Sequence, residues 1–490
     1  MDLSTLSKEQ LYALDLFKQG KNIFLSGPGG TGKTKLIECF VSHCISYGKK
    51  HQVCAMTGCA TILLPKSCNA RTIHSWSGIR LCKGNNHEII KSVLKYKKNK
   101  TSWRMTNILI VDEVSMMSKK VLEVLDAIAK QIRFDDRPFG GMQVVFVGDF
   151  YQLPPVGSPE DIDSQQFCFE SPLWIKLFPL ESVVLLKTIF RQDDPVYKNI
   201  LLQIREAKLN LESKYILQQY VNREFDSSCH NGIVPTKLYP TRYKTDKLNE
   251  TMFSQLKEKC YSFQYVVKTN CKTYLENNQP ISIEHLMNCS NMSQQVKDYE
   301  VRQLLTTSSY VDILYLKKGA LVMCTMNLDM DNGICNGSQG VVTNILETET
   351  GFVPEVTFVN GIKKQIGMQY RQSEDYPSIA VGQIPLTLAW ALTIHKIQGA
   401  TLDMASIDVG NQIFECGQTY VALSRVKSLD GLYLDAFNPE RIKINELVKG
   451  FYDSIPEKDY TIINANEKCS SSEELCEETY VKSTIKRIIL

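Results

Sequence analysis

The chain has 490 residues, enough for about three domains with an ample core. Its 43% apolar and 22% charged residues are ordinary for a globular protein, and a net charge of +3 neither demands nor excludes a nucleic-acid partner. No apolar run approaches the roughly 20 residues of a membrane span, and the N-terminus has neither an apolar signal core nor an Arg-rich transit composition. An intracellular, reducing location without membrane attachment is expected. The sixteen cysteines are scattered and form no Cys-x-x-Cys pair, so they are read as small apolar core side chains and not as zinc ligands or disulfides.

In chain order, helical periodicity over Lys8–Lys18 leads into an apolar strand, Asn22–Leu25, and then a glycine-rich loop. A second strand starts at His51 and ends in the turn Thr57-Gly58-Cys59-Ala60. Residues 80–104 are basic, polar and poor in strand pattern, and read as a surface insertion. Ile108–Val111 is a continuous apolar run of the kind found in buried parallel strands; a helix over Lys119–Ile132 and a third apolar strand ending in Gly148-Asp149 follow. This alternation predicts a doubly wound α/β domain with its ligand at the strand C-termini. The pattern becomes helical and polar after about Ile200 and returns to α/β at Lys237. Short strands with Gly and Asn turns from Lys317 to about Val359 predict a small β-barrel insertion, and α/β character resumes at Ile384. A Ser/Glu-rich tail begins near Asn464 and is expected to be loosely held, with IKRIIL able to dock.

The chemistry is concentrated in the loop Gly27-Pro28-Gly29-Gly30-Thr31-Gly32-Lys33-Thr34. Its spacing is that of a nucleotide-binding phosphate loop: backbone N–H groups cradle the phosphates, Lys33 reaches the outer ones and the Thr34 hydroxyl ligates Mg²⁺. Asp112 and Glu113, at the end of the apolar strand, suit a water-mediated metal contact and a general base. Gln152, in GDFYQLPP, is positioned to sense the γ-phosphate and the attacking water. Arg191 (KTIFRQDD) and Arg425 (TYVALSRV) are far from this loop in sequence; their planar, permanently charged forks suit an arginine-finger role on a γ-phosphate held between two lobes. Thr72-Ile73-His74-Ser75-Trp76 and Thr393-Ile394-His395-Lys396 form a matched pair whose hydroxyl, imidazole, amine and indole groups suit backbone contacts and base stacking on a single strand.

These residues resemble the petite-integration-frequency (Pif-type) DNA helicases of superfamily one B, relatives of RecD and Dda. The likeness covers roughly residues 1–440, through SGPGGTGKT, TIHSW, LIVDEVSMM, GDFYQLPPV, FRQ, IPLTLAWALTIHKIQG and TYVALSRV, and through the helical stretch KKVLEVLDAIAKQIRFDDRPFGGMQ. It implies two RecA-like parallel-sheet domains: 1–200, with a wedge insertion at about 77–104, and 201–316 with 383–445. It further implies an SH3-like β-barrel over 317–382 and a partly flexible extension over 446–490. It implies ATP and Mg²⁺ as cofactors, with Gln10 on adenine, Gln398 and Gly399 at the nucleotide and Thr57 among the strand contacts. The implied activity is 5′→3′ translocation on single-stranded DNA with unwinding of forked or structured duplex, by a monomer, in replication, recombination or repair. Ile397 stands where the family usually has Ser, and the chain starts almost at the motor. Nucleus, cytoplasm and a viral replication site stay open as locations, as does an RNA track. Two other activities stay open as well: a translocase with weak unwinding, and a binding scaffold with a vestigial motor.

Overall fold

The computed structural model describes residues 6–80, 82–95, 97–225, 234–275, 278–308, 310–329, 332–334, 336–349, 351–373, 376–458 and 460. The C-terminal tail from Asn464, IKRIIL included, lies outside the described residues. The chain forms two compact units. The first contains the described residues through Lys214, Ile413–Ser424 and those from Asn438 onward; the second contains Tyr215–Gln412 and Arg425–Phe437.

The first unit is built on a six-stranded parallel sheet. Its strands are β1 (Ile23–Ser26), β2 (His51–Ala55), β3 (Arg71–Thr72), β4 (Ile108–Asp112), β5 (Gln143–Val147) and β6 (Val183–Leu185), in the spatial order β3-β2-β4-β5-β1-β6. The apolar runs are continuous because both faces are covered. Phe24, Leu109, Val111, Val144 and Phe146 enter one core, while Ile23, Leu25, Ile108, Ile110, Val145 and Val147 enter the other, as the two-residue side-chain period requires. The N-terminal helix spans Lys8–Lys18, the limits its periodicity predicts, and starts with a capping box between Ser7 and Gln10.

Residues 80–104, where described, are mainly exposed or half-buried, yet helices with a few buried anchors fix them to the core. They contain the helix Asn86–Lys95 and the start of the helix Lys97–Met105, and Val93 and Trp103 are buried in the core with Leu122 and Leu125 of the helix Lys119–Arg133. Cys82 is buried in the same core and Ile89, Ile90 and Leu94 pack against it, a short apolar face within a stretch whose composition is strongly basic.

The second unit carries a parallel sheet of β7 (Thr236–Tyr239), β18 (Ala391–Thr393), β19 (Ala405–Val409) and β20 (Leu432–Phe437), ordered β18-β7-β19-β20. Between β7 and β18 in sequence lie β8 (Tyr261–Gln264), β9 (Val266–Lys268), β10 (Ile313–Leu316), β11 (Leu321–Cys324), β12 (Gln339–Thr348), β13 (Gly351–Phe358), β14 (Lys363–Gln365), β15 (Gln369–Gln372), β16 (Ala380–Gln383) and β17 (Leu386–Leu388). They pair as a five-stranded antiparallel sheet, β14-β13-β12-β11-β17, a three-stranded one, β15-β16-β9, and the pair β10-β8. Among the described residues no helix is long and apolar enough to cross a membrane.

The helix Pro195–Arg205, which crosses the expected boundary at residue 200, and the helix Gln418–Leu423, expected in the later domain, both belong to the first unit.

Candidate active site

In the first unit the C-terminal ends of β1, β4 and β5 open into the three loops that carry the expected chemistry: Gly27–Gly32, Asp112-Glu113 and Gly148–Pro155. The phosphate loop has its glycines where geometry demands them. Gly30 (φ 84°) and Gly32 (φ 78°) are left-handed, and a Cβ on them would lie 2.5 Å from the Arg191 Cβ and 2.6 Å from the Gln10 Nε2 respectively. The loop is braced by the Thr31 hydroxyl, which donates to the Pro28 carbonyl at 2.9 Å, and by Gln10, whose Nε2 donates to the Thr31 carbonyl at 3.1 Å. Gly32 caps the helix Lys33–Ser46, so the helix N-terminus follows the loop directly, with Thr34 exposed in its first turn.

Lys33 Nζ donates to the carbonyls of Gly27 (2.7 Å) and Pro28 (2.9 Å). Burial pushes its ammonium below the ordinary lysine value, opposed by the charges of Asp149, Glu113 and Asp112. Asp112 is buried, and its Oδ1 accepts the Glu113 N–H at 2.9 Å. Burial, together with the adjacent Glu113 charge, pushes its carboxyl up to about 7. Glu113 is a non-glycine residue in the left-handed region (φ 56°, ψ 41°), a conformation that costs about 1–3 kcal/mol and occurs where a side chain has to be aimed. Gln152 is buried, and its backbone N–H closes a turn on the Asp149 carbonyl at 2.9 Å.

Arg191 belongs to the same unit. Its Nη1 donates to the Ser424 carbonyl at 3.3 Å, and burial lowers its guanidinium from the ordinary value against the fields of Tyr420 and Glu113. Arg425, Thr393, His395, Lys396, Gln398 and Gly399 belong to the second unit. The Arg425 side chain is 1% exposed and donates from Nη1 to the Ala400 carbonyl at 3.3 Å. Thr393 ends β18 and its hydroxyl accepts the Lys396 N–H at 3.3 Å, which folds Thr393–Lys396 into a turn with His395 half-buried and Lys396 exposed. Gln398 is buried and Gly399 is left-handed (φ 83°). Ile397, where a serine is usual, is fully buried, so it fills core and presents no hydroxyl.

Thr57 and Thr72 act as helix N-caps, accepting the N–H groups of Ala60 and Ser75, each at 3.2 Å. His74 is half-buried, and burial lowers its imidazole below the ordinary value, which favours a neutral hydrogen-bonding ring. Trp76 corrects the sequence reading. Its indole is 3% exposed and packs on Trp103 with ring centroids 4.5 Å apart, so it is a core anchor and not a platform for a base.

Tyr420, Arg205 and Tyr452 also bind groups at this site. The Gly29 N–H donates to the Tyr420 hydroxyl at 2.8 Å. Arg205 binds Asp149 bidentately, both contacts at 2.8 Å. Tyr452 bonds Ser26, Phe150 and Asp149. Tyr420 stands within a motif the sequence singles out, whereas Arg205 and Tyr452 carry no local signal.

The parallel sheet, the phosphate loop and the paired acids define a phosphate-loop NTPase. A family model described as PIF1-like helicase matches residues 5–214, and one described as DNA helicase Pif1, 2B domain, matches residues 310–345. The ATP-dependent DNA helicase RRM3 of Saccharomyces cerevisiae is 31% identical, over 91% of this chain and 67% of its own length. The crystal structure of Pif1 helicase from Candida albicans superposes with a TM-score of 0.70 at 31% identity, covering 93% of this chain and 100% of that one. The structure of Pif1 helicase from Bacteroides in complex with ADP-AlF3 and ssDNA gives 0.57 at 26% identity, covering 91% of this chain and 96% of that one. This chain belongs to the Pif1-like helicase family. It spans about two thirds of the length of the curated relatives it matches.

Proposed function

We propose that this protein is an ATP-dependent DNA helicase that translocates 5′→3′ on single-stranded DNA and unwinds forked or structured duplex in replication, recombination or repair. The observation that carries the reading is the gathering in one unit of the phosphate loop, Lys33, the aimed Glu113, the Gln152 loop and Arg191. A relative solved with both a nucleotide analogue and single-stranded DNA supports the same pairing of ligands here.

ATP binds with its phosphates on the N–H groups of Gly29–Thr34 and its adenine at Gln10, with Gln398 and Gly399 at the nucleotide. The donor set fits a magnesium ion: Asp112 is a buried carboxylate held beside a second acid, an arrangement that a bound cation favours even beside Lys33, and Mg²⁺ needs only one or two protein oxygens besides phosphate and water. Thr34 and Asp112 would hold it, and it would supply charge neutralisation to the phosphates. Glu113 acts as the base for the attacking water, Gln152 orients that water, and Lys33, Arg191 and Arg425 stabilise the charge of the transferred phosphoryl group. Thr57, Thr72, His74, Thr393, His395 and Lys396 contact the strand, and their grip changes with the nucleotide because ATP and ADP stabilise different arrangements.

Unwinding of forked duplexes with DNA or RNA tails of either polarity tests the reading. ATP-dependent strand separation is expected with a 5′ DNA tail and not with a 3′ tail alone. ATP turnover without strand separation on any fork identifies a translocase instead.

A further inference from the structure

The helix Glu446–Asp453 lies beyond every helicase motif in the sequence, yet it is part of the first unit's core. Its N-cap Asn445 accepts the Leu447 N–H at 2.9 Å, and Val448 and Phe451 are buried. The Phe451 ring stacks on Phe169 with centroids 4.5 Å apart and meets Phe150 and Trp174 edge-on. Apolar packing is therefore what holds this helix in place.

Tyr452 does something different. Its Oη lies 2.6 Å from the Ser26 hydroxyl, 3.0 Å from the Phe150 N–H and 3.3 Å from Asp149 Oδ1. A phenol has one proton to give and two lone pairs to offer. These partners fit that inventory when Tyr452 donates to the Asp149 carboxylate and accepts from Phe150 N–H and Ser26 O–H. Burial pushes the Tyr452 phenol up from its ordinary value, so it stays a neutral donor. Ser26 is the residue before Gly27, and Asp149-Phe150 opens the loop that carries Gln152. One hydroxyl thus joins the start of the phosphate loop to the start of the sensor loop.

Arg205 completes the cluster. Its Nε and Nη2 each approach the fully buried Asp149 carboxylate to 2.8 Å, and its guanidinium lies 4.4 Å from the Tyr151 ring centroid. The Tyr151 N–H also donates to Asp149 Oδ1 at 3.2 Å, and Tyr151 and Tyr452 stack with centroids 4.8 Å apart and an interplanar angle of 10°. A carboxylate fixed by four donors, two of them from a planar fork, has one orientation.

We propose that Tyr452 and Arg205 are positioning residues for ATP hydrolysis: acting through Asp149 and Ser26, they hold the Gln152 loop in register with the phosphate loop. This rests on the ATPase reading above. It makes a helix outside the sequence motifs a working part of the motor. Both act through Asp149 and Ser26, so their loss is expected to act on turnover and not on ATP binding.

The test is steady-state ATP hydrolysis by the full chain, stimulated by single-stranded DNA, with a thermal midpoint measured for each variant. Tyr452→Phe keeps the ring, its stacking and the helix anchor, and removes only the hydroxyl. Its kcat is expected to fall about tenfold, the scale of a lost positioning hydroxyl, with KM for ATP and strand affinity within about twofold of wild type. Ser26→Ala cuts the same link from the other side, and Tyr452→Phe/Ser26→Ala is expected to be no slower than Tyr452→Phe alone, because both remove one coupled contact. Phe451→Leu is the packing control: it lowers the midpoint and leaves kcat intact below it. The proposal is overturned by a Tyr452→Phe kcat within about twofold of wild type, by fully additive losses in the double variant, or by an equal kcat loss in Phe451→Leu. A wild-type protein that hydrolyses no ATP would instead remove the function on which the proposal rests.

Discussion

Lys33→Ala is expected to abolish DNA-stimulated ATP turnover while single-strand binding persists. The ammonium is held at the mouth of the phosphate loop by the carbonyls of Gly27 and Pro28, under the fields of Asp149, Glu113 and Asp112. A phosphate bound on the loop's N–H groups is a stronger partner for it than two neutral carbonyls, so the side chain is poised to move onto the ligand. Alanine removes that charge and leaves Asp112 and Glu113 beside the phosphate loop without it, while Asp149 stays paired with Arg205. A rate loss on the order of a thousandfold or more follows from the usual weight of a phosphate-clamping cation. Truncation also strips a donor from two loop carbonyls, a cost of about 1–3 kcal/mol each if they are left dry, so the variant's thermal midpoint belongs in the same experiment. Turnover at the wild-type rate would show that the nucleotide is hydrolysed elsewhere.

The two arginines are expected to have comparable effects. Arg191→Ala and Arg425→Ala should each lower kcat by about a thousandfold, with ATP affinity nearly unchanged, because an arginine finger acts mainly on the charge that develops in the transition state. Arg191 is placed for this within the first unit: its Cβ stands beside Gly30, and Glu113 is among the charges that act on it. Arg425 is buried in the second unit, bonded to the Ala400 carbonyl, so alanine there also removes structure. The lysine variants separate the two effects, since they keep a cation but lose the planar fork. Arg425→Lys that folds normally yet stays slow supports the catalytic role; Arg425→Ala with unimpaired turnover excludes it.

How legible each feature is depends on whether its signal is local. The phosphate loop is a contiguous run in which every residue type has a backbone or charge reason, and the structure shows Gly30 and Gly32 in the left-handed region. The acids at the ends of β4 and β5 follow apolar runs that nothing but a two-sided sheet explains. Trp76 fails because TIHSWS forms a helix of five residues, Ile73–Ser77, too short for periodicity to say which side faces the core. The packed helices within residues 80–104 are hidden for a different reason: Lys and Asn dominate the composition and mask a short apolar face of Ile89, Ile90, Val93 and Leu94. Tyr452 and Arg205 carry no local signal because their chemistry depends on distant partners, above all Asp149, 303 positions before the one and 56 before the other. Their sequence neighbourhoods look like any amphipathic helix.

The central claim is that nucleotide state and strand grip are two readings of one equilibrium, and coupling free energies are reciprocal. The direct measurement is single-stranded DNA affinity of the full chain with ADP and with ADP plus aluminium fluoride, in the wild-type protein and in Lys33→Ala. Affinities differing by about tenfold or more between the two states, with the difference lost in Lys33→Ala, are the expected result. Equal affinities in both states for a wild-type protein that hydrolyses ATP would contradict it.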